Sequence, residues 1–166
     1  MVIWKRLYTC YVRPHLEYAV SAWAPYLKAD CRALEKVQRR ATKLIHELRG
    51  LSYDMKCKKL GVLTLAERRL RGDLIQFFKI YRGIEKVSWF HPPLFSQPRA
   101  SKRPQMRREI VRGCNQRHNF LTNRIASAWN NLPDNIINSQ TTNEFKNKLD
   151  NYCFTATGRH RVIIDS

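Results

Sequence analysis

Residues 30–50 read DCRALEKVQRRATKLIHELRG, and this stretch decides the fold class. Leu34, Val37, Ala41, Leu44, Ile45 and Leu48 recur at the period of an α-helix and so share one face. Asp30 stands where a side-chain oxygen caps the amino end, and Gly50 supplies the stop. Arg32, Lys36, Arg39, Arg40 and Lys43 fall in a second sector, about 100° wide and roughly opposite the apolar one. The helix therefore pairs a core face with a cationic stripe about 16 Å long, diluted only by Glu35 and Glu47.

Helical spacing extends to both sides. In residues 1–23, Ile3, Leu7, Tyr11, Leu16, Val20 and Trp23 recur at helical intervals, and Pro14 breaks the run into two pieces meeting at Arg13. Residues 52–60 form a short helix ended by Gly61. Thr64 with Glu67 makes a T-x-x-E capping box that opens a helix to about Arg82, with an inner face of Leu65, Leu70, Leu74, Phe77, Phe78 and Tyr81. Between 84 and 118 the period fails and Pro92, Pro93, Pro98 and Pro104 appear, which predicts a basic irregular arm with a short strand pair near Ile110 and Val111. Residues 120–132 read as a helix with Leu121, Ile125, Ala128 and Trp129 inward and Pro133 at its end. Thr141 with Glu144 caps a last helix carrying Phe145, Leu149 and Tyr152. The expectation is a mainly α protein: a helical bundle over 1–83, which should be the better-packed part, a linker or arm over 84–118, a smaller helical segment over 119–153 and a tail over 154–166.

The chain has 166 residues, with 31 Lys and Arg against 13 Asp and Glu, a net charge of +18. That length fits one domain or one domain with a tail, and 43% hydrophobic residues argue against wholesale disorder. No apolar run approaches the span a membrane helix needs. The first 16 residues lack acids and carry three basic side chains, a weak imitation of a transit peptide without the apolar core of a secretory signal. Cys10, Cys31, Cys57, Cys114 and Cys153 are odd in number with no C-x-x-C, which points to reduced thiols in a cytosolic or nuclear protein, neither secreted nor in a membrane.

The charge is concentrated in the first half: residues 1–83 hold 18 basic and 7 acidic groups, 84–118 hold 8 and 2, and 119–166 hold 5 and 4. Beside the stripe, Arg68, Arg69 and Arg71 lie on the next long helix and Lys56, Lys58 and Lys59 on the short one. In the arm, Arg99, Lys102, Arg103, Arg107, Arg108 and Arg112 interleave with Pro and Gln just after Trp89 and Phe90, a composition suited to ordering on nucleic acid and stacking on bases. The plain alternatives are a solvated helix face and a disordered loop; the whole-chain charge favours polyanion binding.

Catalytic signatures are missing. The acids form no adjacent pair and no D-x-D of the kind that holds two metal ions in polymerases and nucleases. Phosphate-loop, dinucleotide, nucleophile-elbow and zincin spacings are absent too, so no cofactor or metal is expected. His15 reads as a packing or hydrogen-bonding residue at a helix start, and Cys10, Cys31 and Cys57 as small core residues. A site assembled only in three dimensions, such as Glu17 near His15, is the weakest reading.

The strings LYTCYVRPHLEYAVSAWAPYLKADCRALEKVQRRATKLI and LRGLSYDMKCKKLGVLTLAERRLRGDLIQFFKIYRG, with FLTNRIASAWNNLPDNIINSQTTNEFKNKLDNY, resemble the region after the palm in animal non-LTR (LINE-type) retrotransposon reverse transcriptases. The resemblance runs from Leu7 to about Tyr152 and rests on V-R-P-H-L-E-Y, E-K-V-Q-R-R-A, L-x-x-R-R-x-R-G-D and W-N-x-L-P. It implies a thumb-like helical bundle and carboxy-terminal extension of an RNA-directed DNA polymerase, holding template and primer. The family's catalytic aspartates, and the magnesium they would bind, lie upstream, so the implied chain is a truncated copy, a short reading frame or a fragment. It would not be an enzyme on its own, and its setting would be a nuclear or cytoplasmic ribonucleoprotein. Its implied partner is RNA, DNA or their hybrid, contacted through Arg32, Lys36, Arg39, Arg40, Lys43, Arg68, Arg69, Arg71, Arg103, Arg107 and Arg108. The alternative is a protein-interaction module, in which Trp4, Tyr8, Tyr18, Trp23 and Tyr26 form a patch that meets the missing palm and fingers, another protein or a second copy.

Overall fold

The computed structural model describes residues 2–99 and 103–154; Lys102 and the tail from 155 lie outside them. Helices α1 (Val2–Leu7), α2 (Arg13–Glu17), α3 (Val20–Trp23), α4 (Lys28–Lys43) and α5 (Tyr53–Leu60) lead into α6 (Leu65–Tyr81). Then come β1 (Leu94–Ser96), β2 (Gln105–Arg107), α7 (Asn115–His118), α8 (Leu121–Asn130), α9 (Asp134–Ile137) and α10 (Thr142–Leu149). The protein is mainly α, as the periodicity predicts, and no helix among the described residues is long and apolar enough to cross a membrane. It forms two compact units, Met1–Leu70 and Arg71–Ser166, which divide within α6 and not at residue 83.

Local signals give the helix ends of the first unit. Ser52 accepts from the Met55 N–H at 3.4 Å to open α5, and Gly61, at φ +60°, closes it in the left-handed region. There the Val62 and Gly61 N–H groups bond back to the Cys57 and Lys58 carbonyls at 3.0 and 3.1 Å. The Thr64–Glu67 box forms in both directions: the Thr64 N–H donates to Glu67 Oε2 at 2.8 Å and the Glu67 N–H to Thr64 Oγ1 at 3.2 Å. Pro14 has no N–H to donate, and the ladder just before it loosens into a π-helical turn over Tyr8–Val12.

The inner faces of α1 and α4 differ from the apolar stripes. Ile3, Leu7 and Tyr11 are exposed, while Tyr8 is buried and Trp4 half-buried, stacked at 5.1 Å between ring centroids. Each aromatic buries area and also carries a donor for α4: the Trp4 indole N–H reaches the Ala41 carbonyl at 3.0 Å and the Tyr8 hydroxyl reaches Gln38 Oε1 at 2.6 Å. On α4 the buried residues are Gln38 and Thr42, whereas Val37 is 38% and Leu44 79% exposed. The helix is thus turned by roughly a quarter of a revolution from the expected orientation. It starts after Leu27, which makes no side-chain cap, leaving Asp30 in the first turn facing the positive end of the helix dipole. It ends at Lys43, and a 3-10 turn follows at His46–Leu48. Ile45, Leu48, Cys57, Leu60 and Val62 form the core cluster of this unit, flanked by Trp4, Leu51 and Tyr53. Cys57 is buried as expected, but Cys31 is only half-buried, and Cys10 and His15 are exposed.

The second unit has an aromatic core: the four largest fully buried side chains among the described residues, Trp129, Phe77, Phe78 and Phe145, all belong to it, two of them from within 1–83. Phe78 stacks on Phe145 at 4.1 Å, and Phe77 meets Trp129 edge-on at 4.8 Å. Leu121, Ile125, Ala128, Trp129, Phe145 and Leu149 are buried as their spacing predicts; Leu70 is half-buried and Tyr81 45% exposed. The segment read as an irregular arm is built into this unit. Leu94, Phe95 and Ser96 pair antiparallel with Arg107, Met106 and Gln105, so the strand pair lies before Ile110 and Val111. Asn130 of α8 holds Met106 at both its N–H and its carbonyl, each at 2.9 Å, and Asn123 holds Glu109 in the same way at 2.8 and 3.2 Å. Seven helical residues rise about 10.5 Å and three extended residues span about 10 Å, so the two asparagines match the spacing of the chain they grip.

Buried Asp73 is held by a two-pronged ion pair from Arg124, with both N···O distances 2.8 Å. Arg124→Ala takes the guanidinium from a buried carboxylate and should cost about 3 kcal/mol in urea unfolding, and a loss below about 1 kcal/mol would contradict this account. Burial pushes the thiols of Cys57 and Cys153 up, that of Cys153 to about 12, whereas Cys10 and Cys114 are exposed. A thiol reagent at mildly alkaline pH should therefore label Cys10 and Cys114 in the folded protein, and Cys57 and Cys153 only on unfolding.

Candidate nucleic-acid interface

Helix α4 presents Arg32, Lys36, Arg39, Arg40 and Lys43 to solvent along one side. The side chain that sets this rotation is Gln38, 1% exposed. Its amide oxygen accepts from Tyr8, and its amide nitrogen donates to the Leu63 carbonyl at 3.0 Å and lies 3.6 Å from Cys57 Sγ. Thr42, 0% exposed, donates to the Arg39 carbonyl at 2.9 Å. Both polar residues are satisfied inside, which leaves the cationic side of the helix outside.

Two depressions flank the stripe. The larger, about 490 Å³, lies among Arg32, Glu35, Lys36 and Arg39 of α4, Tyr53 and Asp54 of α5, and Thr64 and Arg69 at the start of α6. The smaller, about 270 Å³, adds Arg40, Lys43 and Lys56 and shares Lys36, Arg39 and Tyr53 with the first. Between them the Arg39 guanidinium lies 4.6 Å from the Tyr53 ring centroid. The Tyr53 hydroxyl donates to Glu35, and the Leu65 N–H donates to the same carboxylate oxygen at 3.3 Å. Burial, and next that hydrogen bond, push the Tyr53 phenol above its ordinary range, so it stays a neutral donor. Burial does the same for Tyr8.

The other expected contacts divide sharply. Arg68 is paired with Glu17 at 2.8 and 2.6 Å, and Arg71 with Asp150 at 2.6 and 2.7 Å. Arg103 donates to the Leu132 and Asn130 carbonyls at 3.1 and 2.9 Å and pairs with Asp134 at 3.1 Å. These three brace the fold. Arg107 and Arg108 are exposed in the second unit, where Phe90 is also 93% exposed, while Trp89 packs edge-on against Phe120 at 6.4 Å. Arg69 is 7% exposed and lines the larger cleft. Tyr53 and Lys56, which line the grooves, carry no periodic signal of their own; their role follows from where α5 packs.

Among the described residues no three His, Cys, Asp or Glu side chains gather to hold a metal ion. Gln38→Leu removes the acceptor of the Tyr8 hydroxyl and the donor to Leu63, and should cost about 1–3 kcal/mol by urea unfolding; a stability equal to the parent's would show that the amide does not hold α4. No family model, curated protein sequence or solved structure matches the chain.

Proposed function

We propose that the chain is a non-catalytic, nucleic-acid-binding piece of a LINE-type reverse transcriptase, from the thumb and carboxy-terminal extension. The observation that carries this reading is the side of α4 on which Arg32, Lys36, Arg39, Arg40 and Lys43 stand exposed beside two grooves, fixed there by a buried amide. Such a face neutralises phosphates and releases their counterions, with little dependence on base sequence. The partner is the RNA, DNA or hybrid duplex of template and primer.

The experiment is fluorescence anisotropy on a labelled RNA–DNA hybrid, duplex DNA and single-stranded RNA of matched length, across a salt series. Five phosphate contacts predict a log–log slope of about −4 to −5 on duplex DNA. Replacing the five residues with Gln should flatten that slope while the circular dichroism stays that of the parent, because none of the five is buried. Weak binding with no salt slope would refute the reading.

A second reading, a protein-interaction module, is favoured by Tyr18 at 79%, Trp23 at 43% and Tyr26 at 39% exposure. Trp4 and Tyr8 do not belong to such a patch, since they pack against α4. Sedimentation velocity over a concentration series distinguishes the two, because self-association predicts a rising sedimentation coefficient.

A further inference from the structure

Arg69 stands apart from the other arginines of α6. Its guanidinium is buried, lines the 490 Å³ cleft, and has no hydrogen-bond partner at Nη1. No ion pair joins it to an acid among the described residues, whereas its neighbours Arg68 and Arg71 each have a carboxylate held at two points. Taking a guanidinium out of water without an acceptor is unfavourable, and a planar fork of N–H donors matches the oxygens of a phosphate.

Around this fork the cleft supplies Arg32, Lys36 and Arg39 from α4, with the Thr64 hydroxyl and the Tyr53 ring as further walls. Two acids also line it, so the charge balance is four cations against two carboxylates. Glu35 is already engaged by the Tyr53 hydroxyl and the Leu65 N–H, and Asp54 is exposed. The remaining positive charge faces a space large enough for a nucleotide-sized group.

We propose that this cleft is a socket for a phosphate monoester, with Arg69 supplying the fork at its floor and Arg32, Lys36 and Arg39 the surrounding charge. A monoester suits it better than a backbone phosphodiester. It enters a cleft end-on with a single substituent, and its second negative charge meets the surplus of cations. The ligand has two sources, the terminal phosphate of a nucleic-acid strand or a free mononucleotide. The strand-end form rests on the nucleic-acid reading above, and the mononucleotide form does not.

The test uses the full chain and two paired comparisons: AMP against adenosine by isothermal titration, and one short RNA with a 5′-phosphate against the same RNA with a 5′-hydroxyl by anisotropy. The expected result is binding of AMP but not adenosine, and a preference for the 5′-phosphate of about tenfold, falling to about one in Arg69→Gln. The melting temperature of Arg69→Gln should equal or exceed the parent's, since the variant removes an unpartnered buried charge; a fall would make Arg69 a structural brace and overturn the proposal. Arg69→Lys is the second variant: it keeps the charge and loses the fork, and full retention of the 5′-phosphate preference in it overturns the assignment. Equal binding of the two RNAs, with no binding of AMP, overturns the socket and leaves the basic-face reading standing. Binding of AMP with no binding of either RNA establishes the socket as a mononucleotide site and refutes the basic-face reading. Failure of AMP and both RNAs refutes both.

Discussion

The first unit depends on one buried amide. Gln38 is inaccessible to water and yet fully engaged, by Tyr8 at its oxygen and by Leu63 and Cys57 at its nitrogen. Because both ends of an amide are polar and directional, these contacts fix the rotation of α4 as a hydrophobic stripe alone would not. Turning the helix to bury Val37 and Leu44 would break these contacts and leave the amide without its partners. Which residues of the neighbouring helices line the two grooves beside the stripe follows from this constraint.

In a chain with 31 basic side chains, charge by itself does not mark a binding site. Arg68, Arg71, Arg103 and Arg124 are held by carboxylates or carbonyls and act as braces across helices. Such pairs join residues distant in sequence, 51 apart for Arg68 with Glu17 and 79 apart for Arg71 with Asp150. The arginines of the α4 stripe form no ion pair among the described residues, and neither does Arg69, which is enclosed. Partnership sorts them into structural and functional groups, and composition does not.

The segment after α6 makes a related point. Its prolines and basic residues resemble an unstructured arm, yet Asn123 and Asn130 bind its backbone at Met106 and Glu109 as a neighbouring strand would. Buried backbone groups need partners, and here side-chain amides on a helix provide them. The W-N-x-L-P string gains a physical content: Trp129 fills the aromatic core, Asn130 holds the strand, and the Leu132 carbonyl accepts from Arg103.

The sequence by itself determined the longer helices, the caps of several of them and the cationic stripe, though not the ends of α4 nor the short helices α7 and α9. Capping boxes at Thr64 and Thr141, the Gly61 stop and the apolar spacing of α8 and α10 act over a few residues, so their outcome can be read locally. The tertiary structure decided which side of α1 and α4 is buried, where the strands pair, and which arginines are spent on ion pairs. Each of those outcomes depends on a polar partner tens of residues away, and a hydrogen bond or ion pair of that span leaves no period in the chain. Arg69 is the clearest case: only its enclosure without an acceptor separates it from Arg68 and Arg71.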